Sequence, residues 1–263
     1  MPSHFSTIGL PVQSNDDLLA LADQIATLSE RVRADNGYYL RWSSGIGAEV
    51  WLQMDRRDQC VGITPYFEAK SVFRVAVTTD VSRSDDTALE GAVHCWANPI
   101  NGVTDAGDYP FVFDVIDRDR YRRLEYPFAS DVRLCAFAHE LSTYASEQEY
   151  EANSDQPRFA PESFIPSGLF APAGEVTRPP ASEAIFTGRV LDAAVLRNPL
   201  TAHEFNWFHV KTLGGQIDVV CDPDLICTPV PKGGIISGSF WLCGRILQPR
   251  RRGVLRRLFR GEA

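Results

Sequence analysis

Short strand-like runs outnumber helical ones along this chain, which predicts an α+β fold: an N-terminal antiparallel sheet domain with few helices, plus a small C-terminal β-barrel-like domain. Three observations carry that prediction. One amphipathic helix opens the chain, a series of period-two apolar runs follows, and a proline-rich stretch separates two groups of such runs.

The helix is SNDDLLALADQIATLSERV. Ser14 or Asn15 caps it, acids fill its first turn, and Leu18, Leu21, Ala22, Ile25 and Leu28 recur at helical spacing. The runs YYLRW, AEVWLQM, QCVGI, SVFRVAVTTDV, GAVHCWA, FVFDV and VRLCAFAHEL come next, divided by Gly, Asn, Asp and Pro turns. A short capped helix over 146–153 closes a domain spanning residues 1–153. Residues 154–183 form a Pro-rich connection, and Phe159, Phe164, Ile165, Leu169 and Phe170 make it too apolar for a free linker, so it is expected to be pinned on the surface. AIFTGRVLDAAVL, HEFNWFHVKT, QIDVVCD and GIISGSFWLCGRIL then give four clear strands over 184–247, and 248–263 is a basic tail. No long internal repeat is visible.

Bulk properties exclude several classes. At 263 residues with 44% hydrophobic and 23% charged side chains, the chain has globular composition, and no apolar run reaches the ~18–20 residues of a bilayer span. A cytoplasmic location is the expectation. The six cysteines, Cys60, Cys95, Cys135, Cys221, Cys227 and Cys243, lie mostly in apolar strands without a tight pair, as reduced core or near-core thiols would. The net charge of −8 divides unevenly: from Arg245 onward there are seven Arg and one Glu, which leaves an acidic body. Such a body disfavours nucleic acid as a partner, whereas the tail permits contact with an anionic surface. The remaining partner classes are an unidentified protein or a small molecule.

Sorting the last four strands by their two-residue period separates two faces. Phe186, Gly188, Val190, Phe208, Val210, Ile217, Val219, Cys221, Ile236, Gly238, Phe240 and Leu242 make an apolar face that should be core. Arg189, Trp207, His209, Lys211, Trp241 and Arg245 fall on the other, mixed face, where aromatics interleaved with bases suit either stacking on a ligand or packing under the N-terminal domain. In the N-terminal strands Glu49, Gln53, Arg74, His94, Trp96 and His139 each put a polar group or Trp on one side; if those sides coincide, a cupped sheet holds a small-molecule site. HELST lacks the second His of a zinc-protease motif, and PKGGIISG lacks the Lys-Ser/Thr of a phosphate loop. The acids of FDVIDRDRYRRLE are matched by Arg118, Arg120, Arg122 and Arg123, which suits a salt-bridged surface turn.

Two resemblances add to this reading. TGRV on a long first strand, a hairpin at LGG and SGSFWLCGRI on the last strand resemble the oligonucleotide/oligosaccharide-binding (OB) barrel, which implies an OB-like C-terminal domain and single-stranded nucleic-acid binding through Trp207, His209, Lys211, Trp241 and Arg245. HFSTIGLPVQSNDDLLALADQI followed by YYLRWSSGIGAEVWLQM resembles the start of a vicinal-oxygen-chelate (glyoxalase-like) module. That likeness implies a divalent metal with His4 and Glu49 among its ligands. Outside it no cofactor is expected, no catalytic set is complete, and a non-catalytic binding or accessory protein is the leading expectation.

Overall fold

The computed structural model describes residues 4–100, 104–153, 159–169, 179–226 and 229–247. It is mostly β-sheet with two helices, an α+β arrangement built on two sheets. After a 3₁₀ turn at Ser6–Ile8, helix α1 spans Asn15–Ala26. Ser14 and Asp17 form a reciprocal capping box, with Asp17 N donating to Ser14 Oγ (3.1 Å) and Ser14 N to Asp17 Oδ2 (2.9 Å). Leu21 and Ile25 are its buried positions, and Leu28 lies beyond it and exposed. The helix therefore stops short of the expected SERV. Glu30–Arg33 becomes strand β1 instead, because it finds backbone partners in β2 (Gly37–Ser43) and Arg31 lies over the Tyr38 ring at 3.5 Å. β3 (Ala48–Asp55) and β4 (Cys60–Phe67) complete a four-stranded antiparallel meander.

The second sheet has nine strands: β5 (Phe73–Val81), β6 (Ala92–Ala97), β7 (Pro110–Val115), β8 (Phe128–Tyr144), β9 (Ser163–Ile165), β10 (Glu183–Arg197), β11 (Glu204–Thr212), β12 (Gly215–Cys221) and β13 (Ile235–Leu247), with helix α2 (Glu147–Asn153) between β8 and β9. Its spine is the antiparallel ribbon of β8 and β13, running from the pair Asp131–Leu247 to the pair Tyr144–Ile235. The other edge of β8 is shared: β5 takes its first part (Phe73 opposite Val132), and β12 joins its second part in parallel (Asp218 opposite Cys135). β13 is divided the same way, between β10 (Glu183 opposite Trp241) and a parallel pairing with β7 (Asp114 opposite Cys243). Two closed circuits of five strands result. One runs β8–β5–β6–β7–β13, the other β13–β10–β11–β12–β8, and the ribbon belongs to both.

The strands over 184–247 therefore do not close on themselves as a separate domain. Their fifth strand is β8, from the other side of the Pro-rich connection. The circuits also share one order and sense of strand pairing, a repeat of topology that the sequence conceals. Cys135 and Cys243 face each other across the ribbon, and each has an Asp in the adjoining parallel strand. Ser71 precedes Phe73, opposite Val132, by the same two residues by which Ser182 precedes Ala184, opposite Phe240. Only an Asp-Val and a Leu-Cys dipeptide recur at equivalent places.

One core fills the circuits. The expected apolar face enters it with Phe186, Val190, Phe208, Ile217, Phe240 and Leu242, joined by Val75, Phe111 and Leu134. A second core lies between the ribbon's outer face and the four-stranded sheet: Cys135, Phe137, Trp207 and Cys243 meet Tyr39, Trp51, Leu52 and Phe67. In the connection, β9 pairs with β10 and Phe164 is buried between Tyr109 and Phe186, while Phe170 lies outside the described residues, as do Cys227 and the tail. Two expectations are corrected. Cys60 is exposed, because it sits at the free start of edge strand β4. The turn at 117–119 is buried: Asp119 accepts from Asn36 and Tyr39 bonds to its backbone, so this segment ties the two sheets together.

Candidate functional site

Asp114 is an acid in an otherwise apolar strand, and the parallel pairing of β7 with β13 brings it beside Trp241, Ser182 and Arg83. Its Oδ1 accepts from Arg83 Nη1 (2.8 Å) and Ser182 Oγ (2.7 Å), and its Oδ2 accepts from the Trp241 indole N–H (2.6 Å). Arg83 stands at the start of the β5–β6 connection, and its Nη2 also donates to Ser182 Oγ (2.9 Å) and to the Pro180 carbonyl (3.4 Å). Beside this group opens a cavity of about 310 Å³. The buried Leu89, Val115, Ile116 and Cys243 form its back wall, Gln53 and Thr64 line it from the four-stranded sheet, and Asp85, Asp86 and Glu90 come from the β5–β6 connection. Gln53 is buried and fixes that connection, donating to Glu90 Oε1 (3.0 Å) and accepting from Thr87 Oγ1 (2.6 Å).

The Trp241 ring is held from the N-terminal side. His4 stacks on it with centroids 4.4 Å apart and planes 11° apart, and His4 Nε2 lies 2.8 Å from His139 Nε2. Thr7 Oγ1 donates to the His4 carbonyl (2.7 Å). Burial, reinforced by His139 and opposed by Asp114, holds the His4 imidazole down to about 4 from its ordinary 6.5.

The topologically equivalent acid is arranged differently. Asp218 is 0% exposed, and its Oδ2 accepts from the backbone amides of Lys70 (3.1 Å) and Ser71 (2.9 Å) and from the Ser71 hydroxyl. Its Oδ1 accepts from the Trp207 indole N–H (2.7 Å). Each circuit thus has an Asp clasped by the Ser that begins the other circuit and by an indole, although the two Trp come from different strands.

The sequence-predicted residues are dispersed by the fold. Trp207 is 4% exposed in the second core, and Lys70 lies over its ring at 4.2 Å, so it is a packing residue between layers. His209 stacks beside it, with a buried Nε2 that has no hydrogen-bond partner. Arg189 pairs with Glu147 (2.7 Å) and Lys211 with Glu162 (2.9 Å), acids of α2 and of the connection. Arg245 is half-buried between Glu68 (2.6 Å) and Glu49 (3.2 Å), with Arg133 also on Glu68 and Arg41 on Glu49. The mixed face is thus not an open basic platform: its cations are neutralised, and the four-stranded sheet covers its centre.

Nor do the polar groups of the N-terminal strands converge. Arg74 pairs with Asp131 at the surface (2.9 Å), His94 Nδ1 bonds Thr78 Oγ1 (2.7 Å) with its imidazole shifted down by burial, and Trp96 is half-buried on the same strand as His94. Glu49 and His4 do not assemble a metal site. Both Glu49 oxygens are engaged, by Arg41 on one side and by Trp51 Nε1 (2.9 Å) and Arg245 on the other, while His4 Nε2 faces His139. Among the described residues no group of three or more His, Cys, Asp or Glu side chains is placed to hold a metal ion.

Of the expected residues, His4, His139 and Trp241 meet at one place and Gln53 lines the cleft with Trp241, next to Asp114, Arg83 and Ser182, which sequence reasoning missed. The available signal was a lone acid inside each of two apolar strands, FVFDV and QIDVV, since an Asp there must be buried with partners. Among the described residues no helix is long and apolar enough to cross a membrane. The chain matches no known family model, no curated protein and no solved structure.

Proposed function

We propose that this is a non-catalytic binding or accessory protein whose small polar ligand occupies the Asp114 cleft between the two sheets. The observation that carries the reading is the convergence of a carboxylate, a guanidinium, an indole edge and a buried amide on one cavity of about 310 Å³, near the lower end of the size range of small-molecule sites. Rigid elements hold each group: Asp114 on β7, Trp241 on β13 and Gln53 on β3. Arg83 is held by Asp114, Ser182 and Pro180.

The strand order supports reading both circuits as OB-like. In an OB barrel a three-strand meander is closed by two further strands, one of them parallel to the third. β5–β6–β7 with β8 and β13, and β10–β11–β12 with β13 and β8, both follow that order. OB barrels use the connection between their first two strands for ligands, and the corresponding β5–β6 connection contributes Arg83, Asp85, Asp86 and Glu90 to the cleft.

A thermal-shift screen of the full chain against small polar metabolites tests the reading. A ligand that binds the folded state raises Tm, and Asp114→Asn and Trp241→Phe should each abolish that rise. Turnover of a bound compound that His139→Ala removes would replace the non-catalytic reading with an enzymatic one.

A further inference from the structure

We propose that the Asp114 cleft takes a cationic ligand, an amine or guanidinium, which replaces Arg83 on the Asp114 carboxylate; the proposal rests on the cleft being a binding site. The repeat of topology between the circuits supplies an internal comparison. Asp218 and Asp114 occupy equivalent places, and each keeps a serine hydroxyl and an indole N–H. What differs is the remaining donor. Asp218 has two backbone amides, fixed by the chain on either side, and no solvent exposure. Asp114 has instead a guanidinium on a flexible stem, 22% exposed, and is itself 24% exposed.

A buried backbone amide has no way to leave its acceptor without unfolding the segment, whereas an arginine at a cavity edge can exchange its bonds to Asp114, Ser182 and Pro180 for bonds to water. Asp114 is therefore the carboxylate whose counter-cation is exchangeable, and Arg83 stands where a ligand's cationic group would. The surroundings favour the same charge. Asp85, Asp86 and Glu90 reach the cavity with Asp114, and Arg83 is the cation among its lining residues. An anionic guest would meet four carboxylates, while a cationic one keeps Asp114 neutralised.

Calorimetric titration of the full chain with agmatine, and separately with succinate and glucose, tests this. Agmatine should bind and the other two should not. Asp114→Asn should weaken agmatine binding roughly tenfold or more, the loss expected for a charge-assisted contact. Arg83→Gln should tighten it several-fold, because the built-in competitor is gone; a role for Arg83 in merely shaping the cleft predicts weakening instead. Thermal melts of both variants establish that they are folded. Unchanged or weaker agmatine binding by a folded Arg83→Gln protein would overturn the exchange. Succinate or glucose binding that Asp114→Asn removes, without agmatine binding, would overturn the cationic class and leave the cleft as a site. Binding of none of the three, by wild type or Arg83→Gln, would overturn the proposal, and failure of the broader metabolite screen as well would remove the cleft reading itself.

Discussion

His4 shows how a single side chain ties the chain's beginning to its centre. Its ring lies between Trp241 and His139, and the following residues are anchored by Asn198 Nδ2 on the Ile8 carbonyl (2.8 Å) and Thr201 Oγ1 on the Gly9 carbonyl (2.6 Å). Two imidazoles sharing an Nε2···Nε2 hydrogen bond cannot both be fully protonated and keep it. Because the folded-state value is lowered to about 4 from 6.5, the unfolded chain binds the proton first as pH falls. The stability associated with neutral His4 is fully present above 6.5 and lost between 6.5 and about 4, on the order of 1–3 kcal/mol. Urea unfolding at pH 7.5, 5.5 and 4 should show that loss in wild type and a smaller one in His4→Phe. Buried Asp117 works in the opposite direction, since burial raises its carboxyl and acid relieves the cost of charging it, so the difference between the two proteins isolates His4.

At the scale of elements, β9 shows that a three-residue strand can fasten a long connection. Ser163–Ile165 pairs with β10, Thr212 Oγ1 donates to the Ser163 carbonyl (2.8 Å), and Phe164 stacks on Tyr109 at 4.6 Å between ring centroids. Phe164→Ala should cost about 3–5 kcal/mol in urea unfolding and make residues 159–169 a new site of limited proteolysis. Full stability in that variant would mean that the backbone pairing alone holds the segment. The ribbon strands reach across both circuits because they are long: β8 has 17 residues and β13 has 13, enough for each to serve two different neighbours along one edge.

For the whole molecule, strand sharing means that neither circuit closes without the other, and the two Ser–Asp clasps lock them reciprocally. Asp218→Asn should therefore destabilise the whole protein, by ~3 kcal/mol, in a single transition, since it places an amide N–H₂ against donors in a buried site. Asp114→Asn should cost distinctly less, because Arg83 has solvent beside it. Two separate unfolding transitions, or equal costs for the two substitutions, would contradict this division between a sealed clasp and an open one.

Local chemistry determined the elements. The Ser14–Asp17 cap, the period-two runs and the apolar face of the last four strands all follow from residue type and spacing, and each is found in the structure. The end of α1 was not legible, since Glu30–Arg33 becomes a strand only when β2 offers it hydrogen bonds. The tertiary structure alone decided which strands close with which. Pairing β13 with β8 and β7 depends on contacts between 91 (Tyr144–Ile235) and 129 (Asp114–Cys243) residues apart, and neither periodicity nor the two shared dipeptides encodes them. It also decided the fate of the polar residues. An Arg reads the same in sequence whether it is neutralised by Glu147, paired with buried Glu49 or poised at a cavity, because partner and exposure, rather than residue type, set what its charge does.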